Sequence, residues 1–290
     1  MLRREFLVGT GCALGSTALA SAPNLSRGFA DKSFRVAIAA LEREARGRLG
    51  LAILDTDTGG RFTWRGEERF AMCSTFKLPL VAAILIHDEQ RGAMQHRIPV
   101  PVDLPPNSPF TGMRRGDFAT VEELCEAAIT QSDNGAANLL LARVGGPAGF
   151  TRFVRDQGDT VSRLDRLEPM LNDVPPGDPR DTTSPAAMLR LVHGLALGSR
   201  LPPVARARLV GWMLANKTGG LRLRAGLPST WPVADKTGAS DRGNDNDVAI
   251  LWPPKRQPII VASYLAESTL PFPASSEIHA RLARLIASAI

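Results

Sequence analysis

The chain runs to 290 residues, enough for one large domain or two small ones with a buried core. Hydrophobic residues make up 44% and charged residues 22%, a globular balance that excludes a disordered chain. The formal net charge is +6, but only five of the 35 basic residues are lysine and the basic positions are scattered, which excludes a nucleic-acid-binding stripe, while three cysteines (Cys12, Cys73, Cys125) and four dispersed histidines (His87, His96, His193, His279) exclude a zinc spacing.

Residues 1–30 read as an export address. The pair Arg3-Arg4 precedes an apolar stretch, Phe6 to about Ala22, too short and too glycine-rich to be a stable membrane anchor. This is the pattern of a twin-arginine signal, with cleavage after Ala20 or Ala30 and a periplasmic destination. Residues 31–290 are then the mature domain.

Helical apolar spacing covers 34–46 (Phe34, Ile38, Leu41, Ala45). Leu49–Asp55 and Arg61–Arg65 read as a hairpin around Asp57-Thr58-Gly59-Gly60. An apolar helix follows over 75–90, with Pro79 in its first turns, where proline is tolerated. Five prolines make 99–109 irregular. Thr120 caps a helix over Glu122–Thr130 with Glu123 completing a capping box. Another helix fits Gly135–Val144, ended by Gly145-Gly146.

Residues 158–181 hold four prolines and two glycines and form a long loop, a feature that is usually functional or disordered. Helices resume at Pro185–Leu197 and Pro203–Ala215. Strands then follow at Trp231–Asp235, Asp247–Trp252 and Ile259–Leu265, with a last helix at Ser276–Ala287. The pattern is α+β: an antiparallel sheet flanked by helices, plus an all-α half. The α/β half spans about 31–66 and 216–290, the all-α half about 67–215, and the active site belongs in the cleft between them.

Four short motifs carry chemistry. In Ser74-Thr75-Phe76-Lys77 the serine and lysine share one helix face, so a desolvated Lys77 can take the Ser74 proton. With 17 serines and five lysines, chance alone could supply this spacing. Ser132-Asp133-Asn134 precedes a helix and would serve equally as an N-cap. Lys-Thr-Gly occurs twice. Lys217-Thr218-Gly219 reads as a helix C-terminus, whereas Lys236-Thr237-Gly238 ends a strand and opens into a turn, where it can bind a carboxylate. In the long loop, Glu168 and Asn172 are spaced to hold a water that the carboxylate activates.

In this order the motifs resemble those of class A serine β-lactamases, over residues 34–288. The resemblance implies hydrolysis of the β-lactam amide of penicillins and cephalosporins, conferring resistance, with no cofactor, metal, nucleic-acid partner or membrane anchor, and a monomeric state. It implies Ser74 as nucleophile, Lys77 as proton shuttle, and Ser132 as proton relay to the leaving nitrogen. It places Glu168 and Asn172 on the deacylating water, and the Ser74 and Ala239 amides in an oxyanion hole. Asn134 would bind the substrate's side-chain amide; Lys236, Thr237, Gly238 and Arg222 would line its carboxylate side. An Arg166–Asp181 bridge and a cis Glu168–Pro169 bond are further implied.

Some positions depart from the family pattern. Asp245 replaces a common arginine, Asn107 replaces an aromatic wall residue, and the partners that would pair Cys125 and Cys73 are Val81 and Ser240, so no disulfide is expected. Two other readings stand beside this one, the first sharing the Ser74, Ser132 and Lys236 motifs and the second of a different class. A D-Ala-D-Ala carboxypeptidase or transpeptidase would lack the Glu168–Asn172 loop, and a β-lactam sensor would acylate without turnover.

Overall fold

The computed structural model describes residues 28–29, 31–89 and 91–290. The expected export signal therefore lies outside the described residues, apart from Gly28 and Phe29.

Asp31 caps α1 (Lys32–Ala45), its carboxylate accepting from Ser33 N at 2.8 Å. Phe34, Ile38, Leu41 and Ala45 form its buried stripe. The chain then turns through the hairpin β1 (Arg48–Asp55) and β2 (Arg61–Trp64), and the short strand β3 (Phe70–Ala71). Where one apolar helix was expected over 75–90 there are three pieces: a 3₁₀ turn at Cys73–Phe76, α2 (Lys77–Ile84) and a π-helical turn at Leu85–Glu89. Every residue of α2 is buried, so no polar face marks where the helix changes.

β4 (Arg97–Pro99) and β5 (Phe118–Thr120) pair across the proline-rich segment. α3 (Val121–Thr130) begins with the expected Thr120–Glu123 capping box, and α4 (Asn134–Arg143) is capped by Asp133. α5 (Gly146–Asp156) was not expected. Gly145-Gly146 ends one helix and opens the next, with Pro147 in the first turn, a position proline favours. After the 157–181 loop come β6 (Thr182–Thr183), paired with β3, then α6 (Pro185–Val192), α7 (Pro203–Leu214), β7 (Val233–Ser240), β8 (Asn244–Leu251), β9 (Ile259–Ala266) and α8 (Ala274–Ser288).

The main sheet is antiparallel in the order β2-β1-β9-β8-β7. Alternation along its strands divides the core in two. Leu49, Leu51 and Ile53 of β1 and Ile259, Val261 and Leu265 of β9 join α1 and α8 in one cluster. Ala52, Leu54, Ile260, Ala262 and Tyr264 face the other way, into a larger cluster built with α2 through α7. Both faces of the sheet are covered, and the polar site lies at its edge strand, β7.

Candidate active site

The site forms where β7 meets the Cys73–Phe76 turn. A Cβ added to Gly238 would lie 2.9 Å from Met72 O and 3.0 Å from Ser74 N, so only glycine allows this approach. Cys73 (φ 44°) and Ser132 (φ 59°) are held in the left-handed region, which costs about 1–3 kcal/mol at each. Tight tethers hold the first turn in place. Asn246 Nδ2 donates to Ala71 O (3.0 Å), Met72 N to Asp181 O (2.9 Å), and Thr75 Oγ1 to Met72 O (2.7 Å).

Lys77 is fully buried at the centre of the resulting cluster. Its Nζ lies 2.9 Å from Ser74 Oγ, 2.8 Å from Ser132 O, 3.4 Å from Ser132 Oγ, 2.6 Å from Asn134 Oδ1 and 3.0 Å from Glu168 Oε1. These are five oxygens for at most three ammonium protons, so the lysine cannot satisfy them all at once. Burial pulls its pKa below the usual lysine range, and the Glu168 carboxylate opposes that pull. Lys236 Nζ donates to Ser132 Oγ at 3.0 Å, and its pKa is driven well down by burial and then by the Lys77 charge. Ser132 thus sits between two buried lysines.

Asn172 Nδ2 donates to Glu168 Oε2 at 2.6 Å. Glu168 Oε1 is buried with Lys77 Nζ as its one neighbour, and Asn172 Oδ1 is buried without a hydrogen-bond partner in the protein. The Glu168–Pro169 bond is cis, and Arg166 Nε reaches Asp181 Oδ2 at 2.5 Å, both as expected. Asn107 supplies Asn134 N with its carbonyl at 3.0 Å. An open cleft of about 430 Å³ is lined by Ser74, Asn107, Asn134, Asn172 and Ala239, with Asp173 and Ser240–Arg242 at its rim.

The Lys236-Thr237-Gly238 motif does not end its strand as expected. β7 continues to Ser240, in register with β8 from Lys236↔Val248 to Ser240↔Asn244, and the turn falls at 241–243 around Gly243 (φ 72°). Polar residues hid this half of the hairpin, because Asn244, Asp245 and Asn246 are strand residues buried against neighbours rather than loop residues. The earlier Lys217-Thr218-Gly219 was expected to be a plain helix terminus, but α7 ends at Leu214. Thr218 Oγ1 instead lies 2.5 Å from Thr237 Oγ1.

Arg222 is buried. Its Nε donates to Asp245 Oδ1 at 2.5 Å and its Nη1 to Thr218 O at 2.9 Å. Burial pushes the Asp245 carboxyl up, but His279 and Arg222 outweigh it and hold it below the usual range. Ser275 and Ser276 each donate to Asp245 Oδ2 at 2.8 Å. All the side chains expected at the site therefore join one network, running from Glu168 through Lys77, Ser74 and Ser132 to Lys236, with Thr237, Thr218, Arg222 and Asp245 alongside.

Sequence reading missed Thr218, Asp245 as the anchor of Arg222, and Asn138. Asn138 Nδ2 donates to Glu168 O and its Oδ1 accepts from Glu168 N, both at 3.0 Å. The one available signal was its position four residues after Asn134 on the same helix face. Cys73 and Cys125 are buried free thiols, and burial pushes the Cys73 pKa up to about 12. No cluster of three or more metal-ligating side chains occurs among the described residues, nor any helix long and apolar enough to cross a membrane.

Residues 33–290 match the family described as "Beta-lactamase enzyme family". The chain is 40% identical to β-lactamase CTX-M-25 of Escherichia coli, over 98% of this chain and 97% of that protein. It is 45% identical to a β-lactamase of Mycobacterium tuberculosis (strain ATCC 25618 / H37Rv), over 90% and 88%. Among solved structures, an ancestral (GNCA) class A β-lactamase superposes with a TM-score of 0.87 at 52% identity, covering 89% of this chain and 100% of that one. The putative class A β-lactamase PenP from Rhodopseudomonas palustris gives 0.87 at 46% identity, with the same coverage.

Proposed function

The chain belongs to the class A β-lactamase family, and from that premise we propose how its site opens and releases a β-lactam. The protein hydrolyses the β-lactam amide bond and so confers resistance to the drug. Ser74 Oγ attacks the lactam carbonyl carbon, and its proton moves into the Lys77–Glu168 pair 2.9 Å away. The carbonyl oxygen becomes an oxyanion, stabilised by the backbone amides of Ser74 and Ala239. As the C–N bond breaks, Ser132 passes its proton to the departing nitrogen and is recharged by Lys77 or Lys236, which both contact its hydroxyl. The product of this half-reaction is an ester on Ser74.

Lys236 and the Thr237–Thr218 hydroxyl pair bind the substrate carboxylate, backed by Arg222. Asn134 uses one Nδ2 proton on Pro106 O at 2.8 Å, which leaves the other for the carbonyl of the acyl side chain. Glu168 Oε1, which faces Lys77 at 3.0 Å, and the buried, unpartnered Asn172 Oδ1 hold the water that Glu168 deprotonates to cleave the ester. The Glu168 carboxylate, held by Lys77 and Asn172 and set beside the orphaned Asn172 Oδ1 in the Ser74 cleft, is the observation that carries turnover rather than trapping.

Glu168→Ala tests it directly. Mixed with a chromogenic cephalosporin, the variant should release one equivalent of product and then stall, with a covalent adduct on Ser74 visible by intact mass. The loss in steady-state rate should reach about 10²–10⁴-fold, the worth of a general base. Wild-type turnover by the variant would refute the assignment. We further propose export by the twin-arginine route to the periplasm, supported by Arg3-Arg4 ahead of the apolar stretch.

A further inference from the structure

We propose that the ion pair between Arg242 and Asp173 is a strap across the mouth of the Ser74 cleft that selects among β-lactams by the bulk of their acyl side chain. This rests on the hydrolytic function proposed above and names a determinant of its specificity.

Arg242 sits in the turn between β7 and β8, and Asp173 directly follows Asn172 in the long loop. Arg242 Nε donates to Asp173 Oδ1 across 69 residues of sequence. Both residues line the same cleft as Ser74, together with Pro169, Asn172 and Ser240. Each end of the strap is tied into its own wall. On the loop side, Arg166 Nη1 donates to Asp173 O at 2.9 Å, and Arg166 is itself held by Asp181 at 2.5 Å. On the turn side, Asn244 Nδ2 donates to Ser240 Oγ at 2.7 Å. The side chains that meet in the middle are 47% and 55% exposed, so the pair is the weak link between the two walls.

A β-lactam with its carbonyl at Ser74 and its carboxylate toward Lys236 and Thr237 sends its side-chain amide to Asn134. The side chain itself then points at the wall formed by residues 169–173 and 240–242. With the strap closed, a compact benzyl group fits; a bulky oxyimino group requires the two walls to part. For the bulky substrate, kcat/KM scales with the fraction of molecules whose strap is open. An exposed ion pair biases such an equilibrium by at most about fivefold and is screened by salt.

The experiment compares kcat/KM for benzylpenicillin with that for a cephalosporin carrying an uncharged methoxyimino-aminothiazole side chain, and reads the ratio of cephalosporin to penicillin. Arg242→Ala and Asp173→Ala should each raise this ratio about two- to fivefold, with no further gain when combined. The charge-swapped protein carrying Arg242→Asp and Asp173→Arg should return it to the wild-type value. Raising salt from about 0.05 to 0.5 M should lift the wild-type ratio and leave the single variants unmoved, a response that a purely structural role would not give. An unchanged ratio in either single variant, or a salt-insensitive wild type, overturns the strap. If wild-type protein turns over benzylpenicillin and the ratio does not move, only the strap fails. If it does not turn over benzylpenicillin at all, the hydrolytic reading fails first.

Discussion

At the scale of single residues, the site depends on groups with more neighbours than protons, and on supports that keep them in place. Asn138 is such a support. It grips the backbone of Glu168 from both sides, on a segment with no regular structure of its own. Removing it leaves a backbone N–H and C=O to find water, at about 1–3 kcal/mol each if they stay buried, and frees the carboxylate to drift. A misplacement of about 1 Å can cost about 10²-fold in rate. Asn138→Ala should therefore lower kcat about 10- to 100-fold through deacylation while the first-turnover burst stays fast, so that KM falls with kcat. Equal losses in burst and steady state would place Asn138 in acylation instead. The residues that the motifs revealed are close neighbours in sequence, such as Ser74 with Lys77 and Glu168 with Asn172. Those missed act over distance: Thr218 meets Thr237 across 19 residues, Asn138 meets Glu168 across 30, and Arg222 meets Asp245 across 23. No local pattern encodes such a meeting.

At the scale of elements, the β7–β8 hairpin was only half legible, because its catalytic end is built from polar residues that are buried. Two of them, Asp235 and Asp247, lie on one face, since Thr237 pairs with Asp247 and stands two residues from Asp235. Asp235 has Arg224 and Asn216 as partners. Asp247 accepts only from Leu223 N, at 3.1 Å, and its Oδ1 is buried and unpaired. Burial, and then the Asp235 charge, push the Asp247 carboxyl well above its ordinary value of 3.8. Below that value the group is protonated in both the folded and the unfolded chain and carries no pH-linked cost. Above it, the unfolded carboxyl ionises and the folded one resists, so Asp247 lowers stability increasingly as pH rises toward its folded pKa. Asp247→Asn keeps an acceptor for Leu223 N and removes the titration. Its melting temperature should exceed the wild-type value at pH 7, and the gain should vanish near pH 4. A gain that is constant across this range would show that the carboxyl titrates alike in the folded and unfolded chain, and a loss at pH 7 would show that Asp247 is ionised and supported in the fold.

At the scale of the whole molecule, the sheet was legible as an antiparallel unit interrupted by helices because its last three strands follow one another through short turns, while α5 was not, since a double glycine reads as an end and here is also a beginning. The same core also bears on where the mature chain starts. The sequence offers cleavage after Ala20 or after Ala30. Phe29 is 5% exposed and belongs to the cluster under the sheet. Its ring lies 5.3 Å from that of Phe34, which in turn packs edge-on to Phe62 at 4.9 Å. Cutting after Ala30 would remove a buried aromatic side chain worth about 1.5–3 kcal/mol, which for a chain of this size is about 3–10 °C in melting temperature. Cleavage after Ala20 keeps it. Protein recovered from the periplasm should therefore begin at Ser21 by N-terminal sequencing, and a version shortened to begin at Asp31 should melt several degrees lower. If export follows the proposed twin-arginine route, which carries folded cargo, replacing Arg3 and Arg4 by lysine should leave the uncut precursor in the cytoplasm, active once extracted. A mature chain that starts at Asp31 and melts at the same temperature as the longer form would show that Phe29 adds nothing to the core it packs against.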